Sequence, residues 1–154
     1  MTTGSAGEEP PVNSDLVEYL IVSLQDIESA AGVASAIEQL VRDGTIRILD
    51  LVVIQSAVEG AVTVIEPDAI AGMPTLVKAV DSAGRMLSER DLLLASTALV
   101  PGTAAVVAVV EDQWAERLSD AAKRGGGRVI AGERIPRLQV EKALSHAQDS
   151  QAQE

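Results

Sequence analysis

The segment 123–128 reads Lys-Arg-Gly-Gly-Gly-Arg, and a run of glycines between cations is the composition of a phosphate-binding loop. Phosphate loops bind through backbone N–H groups at the start of a helix, so their glycines lie between a strand and the helix that follows it. Here the glycines follow a helical pattern at 113–124, and a helix end exposes carbonyls. We therefore expect Lys123 and Arg124 to compensate the negative helix end and the glycines to cap it. The alternative is a weak anion patch formed by the side chains of Lys123, Arg124 and Arg128.

Two adjacent carboxylates follow a predicted strand in the block Glu111-Asp112-Gln113-Trp114. Such carboxylates can bind a divalent cation, or one of them can act as a general acid when its pKa is raised. The structural alternative is that Asp112 caps the next helix and that Trp114 begins its apolar stripe. Trp114 is then a core residue, and Trp114→Ala is expected to cost about 3–5 kcal/mol.

Glu18 and Asp50 lie within strand patterns, where a carboxylate is an edge residue, is paired with a base such as Arg47 or Arg134, or is functional. Tyr19 is predicted to be a core residue. No arrangement typical of a nucleophilic triad, a zinc motif or a nucleotide loop is present. We therefore assign no catalytic, cofactor-binding or metal-binding residue and expect no cofactor. The candidate functional or interface residues are Glu111, Asp112, Trp114, Lys123, Arg124 and Arg128.

The composition limits the classes of partner. The chain has 154 residues, a net charge of −11, 1% aromatic residues and no cysteine. A strongly negative charge disfavours nucleic acid and anionic membranes, and so few aromatics leave little for base stacking. Because we find neither a signal-peptide pattern nor an apolar run long enough to cross a membrane, we expect a cytoplasmic protein without membrane insertion.

Apolar periodicity divides the chain into a disordered acidic tail (1–14), a single α+β domain (15–147) and a second disordered tail (148–154). The predicted strands are 17–24, 46–55, 61–66, 103–110 and 128–134. The predicted helices lie near 33–41, 76–83, 92–99, 113–124 and 136–144. The order β-α-β-β-α-β is that of a ferredoxin-like split βαβ sheet, here with an additional helix, a fifth strand and a closing helix.

The predicted strands do not alternate between apolar and polar residues, which indicates that both faces of the sheet are covered. A partner subunit's sheet or the closing helix at 136–144 is expected to cover the face opposite the crossover helices. The charge is also split, since the first 41 residues carry seven acids and no base, whereas 117–142 carry seven bases and three acids. One interpretation is random surface variation, and the other is an interface between the basic part of one subunit and the acidic part of another.

Five segments are similar to a family of small actinobacterial proteins of unknown function: VEYLIVSL at 17–24, DGTIRILDLVVIQ at 43–55, LSERDLLLAS at 87–96, VVAVVEDQWAERL at 106–118 and GERIP at 132–136. The resemblance covers about 17 to 144 and implies a fold and a class of host, but no activity. We expect a non-enzymatic homo-oligomer that acts as an interaction module or as a stress-associated accessory module. A further protein partner is compatible with this role. The alternative is a small-ligand- or anion-binding domain, or a cofactor-free enzyme, with a pocket near 111–114 and with Arg134 or Arg47 holding an anion.

Overall fold

A four-stranded antiparallel sheet forms the centre of the protein in the computed structural model, which describes residues 11–70 and 86–152. Its strands are β1 (Val17–Leu24), β2 (Arg47–Ser56), β3 (Val62–Ile65) and β4 (Ala104–Glu111), in the order β1-β4-β2-β3. The α helices of the described residues are α1 (Ala30–Arg42), α2 (Glu89–Thr97), α3 (Glu116–Arg124) and α4 (Arg137–Ala152). The predicted α+β class is confirmed.

The strand order contains a split β-α-β unit, because β1 and β2 run in the same direction with the antiparallel strand β4 between them. A ferredoxin-like sheet has its first and third strands at the centre, whereas here β2 and β4 are central, so that arrangement is not confirmed. The predicted fifth strand at 128–134 is wrong, since this segment has no regular structure. Glycines on both sides limit its apolar run to the three residues 129–131, and glycine weakens strand pairing. The helix predicted near 76–83 lies outside the described residues.

Helices pack on both faces of the sheet, which explains why its strands are apolar on both sides. Ala34 and Ile37 of α1 pack against one face, in a cluster with residues such as Val53. On the other face Ala95 of α2 packs in a second cluster with residues such as Val52. The cover expected from a partner sheet or from the helix at 136–144 is therefore supplied by α2 of the same chain. We call this second side the α2 face.

A β-bulge explains the continuous apolar run of β2. The register of β2 against β4 shifts between Ile48 and Asp50, so Leu49 and Asp50 both point to the α2 face. Beyond the bulge the side chains alternate again, with Leu51 on the α1 side and Val52 on the α2 face. The bulge thereby places one carboxylate, Asp50, beneath the beginning of α2.

The last helix, α4, stands away from the rest of the protein, and every described residue of it is exposed. It continues to Ala152, so residues 148–152, predicted as part of a disordered tail, are helical. In the described part of the chain, no helix combines the length and the apolar composition that a membrane crossing requires.

Candidate functional site

A cleft of about 680 Å³ opens beside the edge strand β1. Its walls are β1, the turn that leads into α3 and the irregular segment 128–135. Carboxyl groups line it together with one exposed indole, one arginine and several aliphatic side chains, and the residues of most interest are Glu18, Asp112, Trp114, Leu118 and Arg134. Two of the candidate residues selected from the sequence, Asp112 and Trp114, therefore meet at this cleft.

Glu18 and Asp112 form a hydrogen-bonded carboxyl pair in this cleft. The pair forms because Val17 is the register partner of Glu111, which places the first residue beyond β4 next to the start of β1. The backbone N–H of Asp112 donates to the carbonyl of Leu16 at 2.7 Å and fixes this position.

The pKa of Glu18 is raised to about 7. The largest cause is the hydrogen bond with Asp112, followed by burial and by the negative charge of Asp112, while the nearby Arg134 lowers the pKa. Glu18 is therefore about half protonated at neutral pH and can donate or accept a proton there, a property that is concentrated at functional sites.

Asp112 is not the helix cap that the sequence predicted. It occupies the cap position of a short 3₁₀ turn at Gln113–Ala115, but its side chain makes no capping hydrogen bond. The backbone carbonyl of Asp112 accepts from the N–H of Ala115 at 3.0 Å, which closes the turn without the carboxylate. The side chain is thus available to Glu18.

The prediction that Trp114 is a core residue was wrong, because its side chain is 66% exposed and lies at the cleft. The 3₁₀ turn before α3 changes the helical phase, so Ala115 and Ser119 are the residues that point inward. Tyr19, also predicted in the core, is 55% exposed on the α2 face. The chain has a single tryptophan, so its fluorescence reports on the cleft alone.

Glu111, the other acid of the block, lies outside the cleft and is structural. It is 2% exposed and accepts a hydrogen bond from the backbone N–H of Asn13 at 2.5 Å. Its carboxylate also contacts the guanidinium of Arg47 at 3.5 Å. Because neighbouring residues of a strand point to opposite faces, Glu111 and Asp112 serve different sides of the sheet.

The glycine-rich turn is a helix cap, as expected. Gly126 has φ of 82°, in the left-handed region, and its N–H donates to the carbonyl of Lys123 at 3.0 Å. The N–H of Gly127 donates to the carbonyl of Ala122 at 2.8 Å, which completes a Schellman motif. Lys123 and Arg124 are exposed in the last turn of α3.

Arg128 forms an ion pair with Asp15 of the same chain. The sequence suggested a contact between the basic part of one subunit and the acidic part of another. At this position, such a contact forms within a single chain. The pair ties the irregular segment 128–135 to the residues before β1. It therefore helps to hold the wall of the cleft in place.

The described residues contain no group of three or more His, Cys, Asp or Glu side chains placed to hold a metal ion. The cleft and the sheet together define an α+β domain with a carboxyl pair at an open sheet edge. The chain belongs to the family of unknown function DUF6325, whose sequence model matches residues 14–150. The resemblance to a family without established activity is thereby confirmed. Comparison with curated proteins and with solved structures gave no match.

The raised pKa of Glu18 predicts that stability falls as the pH rises. The unfolded chain loses the proton of Glu18 near pH 4.5 and the folded chain near pH 7, so the contribution of this group is full below pH 4.5 and is lost as the pH rises to about 7. Glu18→Gln keeps the size of the side chain but cannot ionise. The wild type loses stability between pH 5 and pH 8, and the variant lacks this loss. We therefore expect the free energy of unfolding of the variant to rise relative to that of the wild type by about 1 kcal/mol from pH 5 to pH 8, a value reduced by solvent screening in the open cleft.

Urea unfolding at pH 5 and pH 8 measures this difference. Glu28→Gln, at an exposed position, is the matched control and should follow the pH dependence of the wild type. If wild type and Glu18→Gln lose the same stability between the two pH values, the carboxyl pair does not hold a proton at neutral pH.

Proposed function

We propose that the protein binds a small organic cation, an amine with a short apolar group, in the cleft beside β1. The observation that supports this function is the carboxyl pair of Glu18 and Asp112 in a cleft that also contains the exposed indole of Trp114. Carboxylates accept hydrogen bonds from an ammonium group, and the face of an indole attracts a cation. The indole is 66% exposed and is therefore accessible to a ligand.

The charge of the cleft favours a cation over the anion considered from the sequence. Four carboxyl side chains line the cleft with one arginine: Asp15, Glu18, Asp112, Glu133 and Arg134. Arg134 is close enough to Glu18 to lower its pKa, so its positive charge already acts on the carboxyl pair. The net charge of −11 further raises the local concentration of cations.

The aliphatic part of the cleft gives the ligand a second requirement. Leu20, Leu118 and Val129 line it beside the indole. An alkyl group bound there leaves water at roughly 25 cal/mol per Å² of apolar area. We therefore expect an amine that carries methyl or methylene groups to bind more tightly than ammonium itself.

Binding of a cation is expected to release a proton near neutral pH. An ammonium group beside Glu18 stabilises the ionised carboxylate, so the pKa of Glu18 falls from about 7 when the ligand binds. The affinity then increases as the pH rises through about 7. An anion held by Arg134 is expected to show the opposite pH dependence.

The test is a titration with choline, ethanolamine and putrescine, and with acetate and phosphate as anions, followed by Trp114 fluorescence and by calorimetry. We expect amine binding that is several-fold tighter at pH 8 than at pH 6 and is weakened about ten-fold or more by Asp112→Asn or Glu18→Gln. Asp120→Asn, an exposed acid on α3, is the control and should bind as the wild type does. Binding of anions alone, or no response to any amine, would contradict the proposal.

A second function, a homo-oligomeric interaction module, is supported by the exposure of α4. Its residues Leu138 and Leu144 are 64% and 61% exposed, and an isolated helix of this length is only marginally stable in water. A partner that packs on α4 is therefore expected. Light scattering after size exclusion at micromolar concentration should give a mass above the 16.0 kDa of one chain, and a strictly monomeric protein contradicts this function.

A further inference from the structure

An apolar groove lies on the α2 face between β1 and α2, and we call it the β1–α2 groove. It has a volume of about 180 Å³ and is lined by Tyr19, Ile21, Leu87, Asp91, Leu94, Ala95 and Val107. The groove lies where α2 packs over the central strands while Tyr19 and Ile21 of the edge strand stay about half exposed. Three of its apolar side chains are accordingly about half exposed: Tyr19 at 55%, Ile21 at 46% and Leu94 at 60%.

The groove has one polar position at its rim. This position is Asp91, in the first turn of α2, and burial together with the negative charge of Asp91 raises the pKa of Tyr19. Among the described residues that line the groove, Asp91 alone is charged, so the rim is acidic at this position. A partner that fits this groove has an apolar surface with a cation beside it.

Helix α4 presents a surface of this kind. Val140, Ala143, Leu144 and Ala147 recur with the spacing of one helical face. Arg137 precedes Val140 by three residues and thus lies in line with this stripe, where its guanidinium pairs with Glu141 of the same helix at 2.7 Å. No described residue of α4 is buried, so the stripe is uncovered within the chain.

We infer that α4 of one copy docks in the β1–α2 groove of a second copy, and that the second copy returns the same contact. The inference rests on the second proposed function and specifies its partner and its surface. Both complementary surfaces belong to the same chain, so a two-fold arrangement covers two helices and two grooves with one type of contact. In this arrangement Arg137 faces the acidic rim at Asp91.

The area is consistent with a weak dimer. A helix of 16 residues is about 24 Å long and roughly 10 Å wide. When the surfaces of both partners are counted, two reciprocal contacts of this size bury about 1,000 Å² in total, which lies at the low end of specific interfaces. The dimer is thus expected to form at micromolar concentrations and to depend on each apolar contact.

Substitutions on the two surfaces test the inference, and the chain offers matched controls. Leu94→Glu alters the groove, whereas Leu93→Glu alters an equally exposed neighbour on α2 that does not line it. On α4, Leu144→Glu alters the stripe, and Leu138→Glu alters a leucine away from it. We expect Leu94→Glu and Leu144→Glu to weaken dimerisation about 30-fold or more, while both controls retain it. Circular dichroism checks that each variant is folded.

A cross-link identifies the contact directly, because the chain contains no cysteine. Copies carrying Leu94→Cys are mixed with copies carrying Leu144→Cys and are oxidised. We expect the mixed disulfide dimer to exceed the disulfide dimers of either variant alone.

The outcomes separate this inference from the function on which it rests. A monomeric wild type overturns both. A dimer that is lost with Leu144→Glu and kept with Leu94→Glu, without the mixed disulfide, overturns the inference and leaves the interaction function in place. A dimer that persists in all variants overturns the docking of α4 altogether.

Discussion

Glu111→Ala is expected to lower the free energy of unfolding by about 3–5 kcal/mol. The carboxylate is 2% exposed and lies between the backbone N–H of Asn13, at 2.5 Å, and the guanidinium of Arg47, at 3.5 Å. Its removal leaves a buried donor without its acceptor and takes away an anion in contact with a largely buried cation. Each effect carries the desolvation cost of a group that has lost its interaction with Glu111.

Trp114→Ala is the matched comparison, three positions further along the chain. Because the indole is 66% exposed, we expect a loss of about 1 kcal/mol or less. Urea unfolding followed by far-ultraviolet circular dichroism measures both variants by a signal that does not depend on the tryptophan. Equal losses in the two variants would show that the division of this block into a structural and a functional part is incorrect.

The four strands were predictable because their signals are local. The runs at 17–24, 46–55, 61–66 and 103–110 are rich in β-branched residues and are bounded by turn residues, and each corresponds to a strand of the sheet. The helix near 92–99 was predicted from another local signal, residues at helical spacing. This helix begins with a capping box, in which the hydroxyl of Ser88 accepts from the N–H of Asp91 at 3.1 Å and the N–H of Ser88 donates to Asp91 at 3.0 Å.

The exposure of the two aromatic residues could not be predicted in the same way. Tyr19 and Trp114 are large, and large aromatic residues are buried on average. Whether a given face of β1 is covered depends on where α2 packs, and α2 is distant from β1 in the sequence. The direction in which Trp114 points depends on a single 3₁₀ turn before α3, and no local sequence pattern indicated this turn.

The candidate site was visible in the sequence only as separate parts. Glu18 was a carboxylate within a strand, Asp112 belonged to the acidic block, and Arg134 was one of the bases considered as partners of the strand acids. Their proximity follows from the antiparallel register that sets Val17 against Glu111. Register is determined by the packing of the whole sheet. The sequence therefore indicated the chemistry of these residues but not their proximity in the fold.

Asp50→Ala is expected to lower the free energy of unfolding by about 3–5 kcal/mol, because this carboxylate, at the bulge of β2, accepts hydrogen bonds from backbone N–H groups. The side chain is 7% exposed and accepts three backbone hydrogen bonds, from Leu51 at 2.9 Å, Met86 at 2.7 Å and Leu87 at 2.8 Å. Two of these donors lie directly before α2. The substitution therefore removes the contact that fixes the beginning of this helix on the sheet.

The control is Asp26→Ala, which removes an exposed aspartate that caps a short 3₁₀ turn by accepting from the N–H of Ser29 at 3.0 Å. Loss of such a cap costs about 1 kcal/mol. Urea unfolding compares the two variants, and amide hydrogen exchange reports on the site itself. We expect faster exchange at Met86 and Leu87 in Asp50→Ala alone, since their acceptor is gone. A loss no larger than that of Asp26→Ala, with unchanged exchange at these two amides, would mean that α2 is held by its apolar contacts and not by the carboxylate.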